Sequence, residues 1–272
     1  MKEDTPDRRL ATSLVAAGAA TLAMSVLADS ALEHYRGSFR NPAMALPLAA
    51  AGLGFVMNAG RALGRHKPRP INVSSHIGSI GVGATGLGFH AYNILKRPTA
   101  GGISGLFYAA PAGAPAALIL SGLLGRTADT LRARPAKQSE AIGRPLAMIC
   151  AIGMVGTVAE AGLLHLRGAY HNPFMWLPIS LPPIAATALA RDAASQSAHP
   201  VTRALLGATV AVGLIGVGFH IYGVARNMGG WRNWQQNILA GPPIPAPPSF
   251  TGLALAGLGA LLLLRQRKER HG

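Results

Sequence analysis

The stretch Asp29-x4-His34-x-Arg36-Gly37-x-Phe39-x-Asn41-Pro42-x-Met44-x2-Pro47 occurs twice in this chain. It returns as Glu160-x4-His165-x-Arg167-Gly168-x-Tyr170-x-Asn172-Pro173-x-Met175-x2-Pro178, with every matched residue 131 positions after its partner. A second pair follows at a shift of 130: Gly88-Phe89-His90-x-Tyr92 and Gly218-Phe219-His220-x-Tyr222. A weaker third pair sets Pro111-x2-Ala114-Pro115 against Pro243-x2-Ala246-Pro247. Three matches in the same order make one half of the chain a copy of the other.

The matched motifs lie at the ends of apolar blocks. The 272 residues are 50% hydrophobic and only 13% charged, with a mean hydropathy of +0.31. Soluble domains carry about a quarter charged residues. Eight blocks stand out: Leu10–Leu32, Pro42–Ala59, Ser74–Leu95, Gly101–Gly125, Pro145–Leu166, Pro173–Ala190, Leu205–Ala225 and Ser249–Leu264. Several reach the roughly 20 residues that cross a bilayer core. Their Gly and Ala suit close helix packing in lipid. The fold expected is all-α, a polytopic transmembrane bundle of about eight helices in two four-helix repeats. The repeats cover 1–130 and 145–272, with a polar, basic linker over 131–144. Four helices per half is an even number. The copies therefore run parallel, about an axis along the membrane normal.

The net charge of +15 does not point to nucleic acid, because the basic residues lie between apolar blocks and leave no soluble basic face. Membrane lipids are the expected partners. Of the 25 Lys and Arg, seven (Arg36, Arg40, Lys96, Arg97, Arg167, Arg226 and Arg232) fall in one set of alternate loops and the rest in the other. By the positive-inside rule both termini are cytoplasmic, in a protein of the bacterial inner membrane type. Trp176, Trp231 and Trp234 fall on the outer side, a usual place for interfacial Trp. The first apolar run is longer than a signal-peptide core and aligns with Pro145–Leu166, so it reads as a retained helix. The lone Cys150 excludes an intrachain disulfide and a thiolate-rich metal site.

Much of the repeated motif answers backbone needs. Gly37 and Gly168 suit the left-handed turn that closes a helix. Asn41 and Asn172 suit caps for the next helices, with Pro42 and Pro173 at the first position. Pro47 and Pro178 fit the first turns. The last outer loop, Arg226–Pro248, reads as an extended Pro-rich strap.

The remaining matched residues carry chemistry. Asp29, Glu33 and Glu160 are acids in or at the end of apolar blocks, where a carboxylate is costly and needs a partner. Asp29 lies about 7.5 Å inward from His34, and His90 about 9 Å inward from Lys96. Asp29 is therefore expected beside His90 with His34 above, and Glu160 beside His220 beneath His165. Two histidines and one carboxylate per half can bind a divalent transition metal with open positions. Haem b, held by His34 with His90 and by His165 with His220, is the alternative. A structural acid–His lock is the third possibility. Arg36 and Arg167 are candidates to hold a small anionic ligand, or else contact headgroups. Tyr92 and Tyr222 could donate to a ligand or belong to the aromatic belt. The function expected is metal or haem iron binding at an outward-facing site for redox or lipid-phase chemistry. The rivals are a transporter using acid–His pairs and a membrane scaffold.

Overall fold

The computed structural model describes residues 6–65, 70–96, 112–133 and 136–271. Among them the chain forms nine α-helices and no strand: α1 (Pro6–Arg36), α2 (Leu46–Ala62), α3 (Pro70–Leu95), α4 (Gly113–Ala133), α5 (Ala136–Arg167), α6 (Leu177–Ser195), α7 (Pro200–Arg226), α8 (Trp234–Ala240) and α9 (Pro248–His271). Six helical stretches are long and apolar enough to cross a membrane: Pro6–Arg36, Pro42–Ala62, Ala141–Arg167, Pro173–Ser195, Pro200–Arg226 and Pro248–Arg265. On that ground we read the chain as an integral membrane protein. The two long helices outside that set are α3 and α4. α3 opens with Asn72, Ser74, Ser75, His76 and Ser79, and α4 holds Arg126, Asp129 and Arg132. Their polarity has a structural cause described below.

Four helices form a ring in which α1 meets α9, α9 meets α5, α5 meets α4 and α4 meets α1. α2 and α3 flank this ring on the α1/α4 side, and α6 and α7 flank it on the α5/α9 side. The core follows this plan, with Val15, Ala19, Leu22, Leu124, Leu146, Cys150, Met154, Leu189, Leu206, Leu253 and Leu263 all buried. Small residues let α1 and α9 approach closely: Cβ atoms added at Gly18 and Gly252 would each run into the opposite backbone. Such seams replace the hydrophobic drive that lipid does not supply. The flanking helices turn large apolar side chains outward, among them Val56, Ile77, Ile184, Leu214 and Ile215.

The turns after α1 and α5 have the same build. Asn41 Oδ1 accepts from the Ala43 N–H at 2.9 Å, and Asn172 Oδ1 from the Phe174 N–H at 3.0 Å. Each opens a 3-10 turn, Pro42–Ala45 and Pro173–Trp176, that runs into the next helix. The expected caps are therefore present. The glycines are not used as expected. The left-handed positions are Ser38 and Phe39 in one turn and Ala169 and Tyr170 in the other. Gly37 and Gly168 serve close packing instead: a Cβ there would sit 3.1 and 3.2 Å from Cε of Met44 and Met175.

Two connections also differ from the sequence reading. α4 continues to Ala133 and α5 begins at Ala136, so most of the expected polar linker is helix. Asp129, two residues before it, faces the core. The expected strap over 226–248 contains a 3-10 turn, Gly230–Asn233, and the helix α8. Its prolines begin only at Pro242, after α8 has ended. Asn237 is buried and donates to the carbonyls of Met228 (3.2 Å) and Gly230 (2.8 Å), folding the loop on itself.

Candidate functional site

The duplicated histidines are fixed by backbone carbonyls. His34 Nδ1–H donates to the Met44 carbonyl at 2.6 Å, and His165 Nδ1–H to that of Met175 at 2.9 Å. Each bond crosses the turn from one helix to the start of the next. Phe39 and Tyr170 stand edge-on to these rings, with centroids 6.0 and 6.2 Å away. His220 Nδ1–H donates to the Pro243 carbonyl at 2.6 Å. A ring that donates from Nδ1 to a carbonyl, when neutral, carries its lone pair on Nε2. Second-shell bonds of this kind orient imidazoles toward ligands. His90 is half-buried on α3.

Glu160 finds a backbone partner. Glu160 Oε1 accepts from the Gly113 N–H at 3.0 Å, at the first residue of α4. The glycine leaves the space that the carboxylate fills. Helix N-termini present unsatisfied N–H groups and favour negative charge, so the backbone takes the place foreseen for His220. Glu160 is thus bonded to Gly113, and His220 to Pro243. Asp29 has Glu33, Glu160 and Arg36 as electrostatic neighbours. The two matched acids thus share one neighbourhood where the halves adjoin. His165 and His220 are likewise electrostatic neighbours. The repeat differs at this point. Pro245 aligns with Gly113 and has no N–H, and its carbonyl instead accepts from Ser25 at 2.5 Å.

Arg36 forms an exposed ion pair with Glu33 on its own helix. Tyr92 and Tyr222 are exposed at the helix ends under Lys96 and Arg226, 5.7 and 5.5 Å from cation to ring centroid. Phe219 of the second motif stacks on Phe174 at 4.9 Å. Arg167 is exposed at the end of α5. Among the described residues no three His, Cys, Asp or Glu side chains are grouped so as to hold a metal ion.

A second polar cluster was not legible from the repeat. Arg61 of α2 forms an ion pair with Asp129 of α4, both almost fully buried. His76 Nε2 of α3 lies 3.4 Å from the other carboxylate oxygen of Asp129. Asn58, Asn72 and Ser75 are buried beside them. Arg61 and Asp129 lie just beyond the apolar blocks that end at Ala59 and Gly125, and His76 has no matched partner. The available signal was the set of positions where the two halves disagree.

No protein-family model matches this chain, and no curated protein or solved structure is similar to it.

Proposed function

We propose an integral membrane protein of two parallel four-helix repeats, 1–130 and 145–272, with both termini cytoplasmic in a bacterial inner membrane. The repeats are supported by equivalent helix neighbours, α1–α2, α1–α4, α3–α4 and α2–α3 against α5–α6, α5–α9, α7–α9 and α6–α7. Matched capped turns support them further. The orientation rests on the placement of Lys and Arg. A reporter joined after Gly272 is expected to be active only on the cytoplasmic side; periplasmic activity would overturn the orientation.

At the motif-bearing end we propose a site for a transition metal or haem iron, serving redox or lipid-phase chemistry. The candidate ligands are His34, His90, His165 and His220, with Asp29 and Glu160 as neighbouring carboxylates. The observation that carries this reading is the commitment of Nδ1–H to a backbone carbonyl in His34, His165 and His220. This leaves Nε2 as the ligating nitrogen. Two carboxylates sharing one neighbourhood add a demand for positive charge. Arg36 and Arg167, with Tyr92 and Tyr222, are the residues a small anionic ligand would meet in the transporter reading. The pairing of Arg36 with Glu33 makes that reading weaker.

A structural lock is the second reading, favoured because the bonds of His34 and His165 each cross a turn. Elemental analysis and visible absorbance of the purified full chain separate the two. A bound metal or a haem Soret band is expected, reduced together in H165A and H220A. Absence of both from the wild-type protein, with a lowered unfolding temperature in H165A, would favour the lock.

A further inference from the structure

A groove of about 470 Å³ lies between α6 and α7. Ile184, Ala188 and Arg191 line it from one face of α6, at helical spacing. Val201 and Thr202 line it from the start of α7. Ile184 and Val201 are 56% and 67% exposed, so the groove opens away from the bundle. In a membrane that side is lipid. Along α6 the groove runs from Pro183 to Arg191, about 12 Å at helical rise. One leaflet of the hydrocarbon core is about 15 Å deep. Arg191 is one turn from the end of α6 at Ser195. The groove thus matches one leaflet in depth, with its charge at the headgroup end. Between these ends the wall is apolar in effect, because Thr187 Oγ already donates to the Pro183 carbonyl at 2.9 Å.

The mouth of the groove is polar. α7 starts at Pro200, and its cap residue His199 gives the first turn no side-chain hydrogen bond. The N–H groups of a first helical turn have no intrahelical partner and carry partial positive charge. Thr202 sits in that turn and lines the groove. It is 1% exposed, and its hydroxyl has no hydrogen-bond partner among the described residues. Thr187 and Thr209 satisfy theirs on the carbonyl four residues back; for Thr202 that carbonyl lies outside the helix. Arg191 is exposed at the same mouth. The acid beside it, Asp192, is fully buried and is not part of the lining. Its Oδ2 accepts from the His199 N–H at 2.8 Å, which ties α6 to the start of α7, and its Oδ1 has no partner. Arg203 is exposed one residue past Thr202, also outside the lining. The first half is not built this way. Gly60 and Arg61 stand 131 positions before Arg191 and Asp192, and Asn72 stands 130 before Thr202. The repeated scaffold therefore does not require a guanidinium where Arg191 stands.

We propose that this groove holds one anionic glycerophospholipid. Its phosphate lies between Arg191 and the first turn of α7, and one acyl chain lies along the apolar wall. A guanidinium meets a phosphate with two parallel N–H donors, and the N–H groups of a helix start favour the same anion. Thr202 adds a hydroxyl donor when its χ1 turns toward the mouth. A lipid that merely coats the protein would touch the same wall without regard to its headgroup. The charged mouth makes headgroup preference the property that separates a site from a coat. The site is separate from the motif-bearing histidines, and neither reading depends on the other.

The test is native mass spectrometry of the full chain in a non-ionic detergent. It is titrated with dioleoyl phosphatidylglycerol or with dioleoyl phosphatidylcholine, which has the same chains and no net charge. One phosphatidylglycerol is expected to bind about tenfold more tightly than phosphatidylcholine, and about tenfold more weakly in R191Q. T202V should weaken it about threefold. R203Q removes the same charge just outside the groove and should keep the wild-type affinity. A188L fills the apolar wall and should weaken both lipids, with A188V in its place if that variant does not fold. Circular dichroism establishes that each variant is helical. Equal binding of the two lipids would overturn the proposal, because the lipid is then only a coat. Equal losses in R191Q and R203Q would overturn it as general attraction to a basic face, and so would unchanged affinity in T202V. Displacement of the lipid by an equal concentration of inorganic phosphate would do the same, since the acyl chain then contributes nothing.

Discussion

Gly18→Leu is expected to abolish recovery of folded protein. A Cβ on Gly18 would fall on the Gly252 carbonyl, 3.0 Å from Ala256 Cβ and 3.1 Å from Ala256 N. The reverse contact is equally close, with a Cβ on Gly252 placed 2.9 Å from the Gly18 carbonyl. Further along the seam, Gly259 leaves room for Val15 Cγ2, 2.8 Å from where its own Cβ would be. Three of these neighbours are backbone atoms of a helix, which cannot swing aside as a side chain can. Overpacking by a few methylenes costs about 1 to 3 kcal/mol where neighbours can move. Four carbon atoms against a helix backbone should exceed about 3 kcal/mol. Gly156→Leu is the control, because a Cβ there meets nothing within 4 Å, and its effect should stay within about 0.5 kcal/mol. Thermal unfolding followed by tryptophan fluorescence in detergent, with size-exclusion profiles, reads the difference. Equal unfolding temperatures for the two variants would contradict the α1–α9 crossing.

This seam could not have been located from the sequence. Gly18 and Gly252 belong to no matched motif, and glycine is spread through every apolar block. Periodicity says which segments are helical, while the choice of neighbour depends on which small residues face each other across the bundle. The turns were more legible because their logic is local. Asn41-Pro42 and Asn172-Pro173 specify a cap and a first helical residue within two positions, and the structure has both. Gly37 shows where local logic fails. The left-handed bend fell to Ser38 and Phe39, while Gly37 makes room for Met44 seven residues later. The acids show a related failure. Glu160 was assigned a histidine on the assumption that only another ionisable side chain could satisfy it. A free backbone N–H at Gly113 serves as well, and a sequence does not display where helix ends converge. The buried cluster was hidden by a rule that works elsewhere. Asp129 lies between an apolar block ending at Gly125 and the basic stretch 131–144, yet on a helix one face can be solvated while Asp129, three residues from Arg126, points inward.

Asp129→Ala is therefore expected to be the most damaging single change among the charged residues of the first half. Asp129 and Arg61 are both nearly devoid of solvent contact, with side chains 5% and 2% exposed. Removing the carboxylate takes from the Arg61 guanidinium its ion pair between α2 and α4, and from His76 Nε2 its nearby anion. Loss of one partner of a buried pair typically costs about 3 to 5 kcal/mol. The pair itself contributes far less, since desolvation offsets most of its attraction. Leu261, 132 positions after Asp129, is a buried apolar side chain at the matched place, while Asp192, 131 after Arg61, is a buried acid. R61M/D129L should consequently recover most of the stability lost in Asp129→Ala, and should unfold close to the wild-type temperature in detergent. The exposed pair of Arg36 with Glu33 provides the contrast: Glu33→Ala removes a carboxylate as well, but surface pairs contribute at most about 1 kcal/mol. If Asp129→Ala unfolds no earlier than Glu33→Ala, the guanidinium has reached water, and the cluster is not closed. If the double variant is as unstable as the single one, Leu261 is a poor guide to the Asp129 position. In that case the carboxylate and guanidinium are part of the packing of α2, α3 and α4.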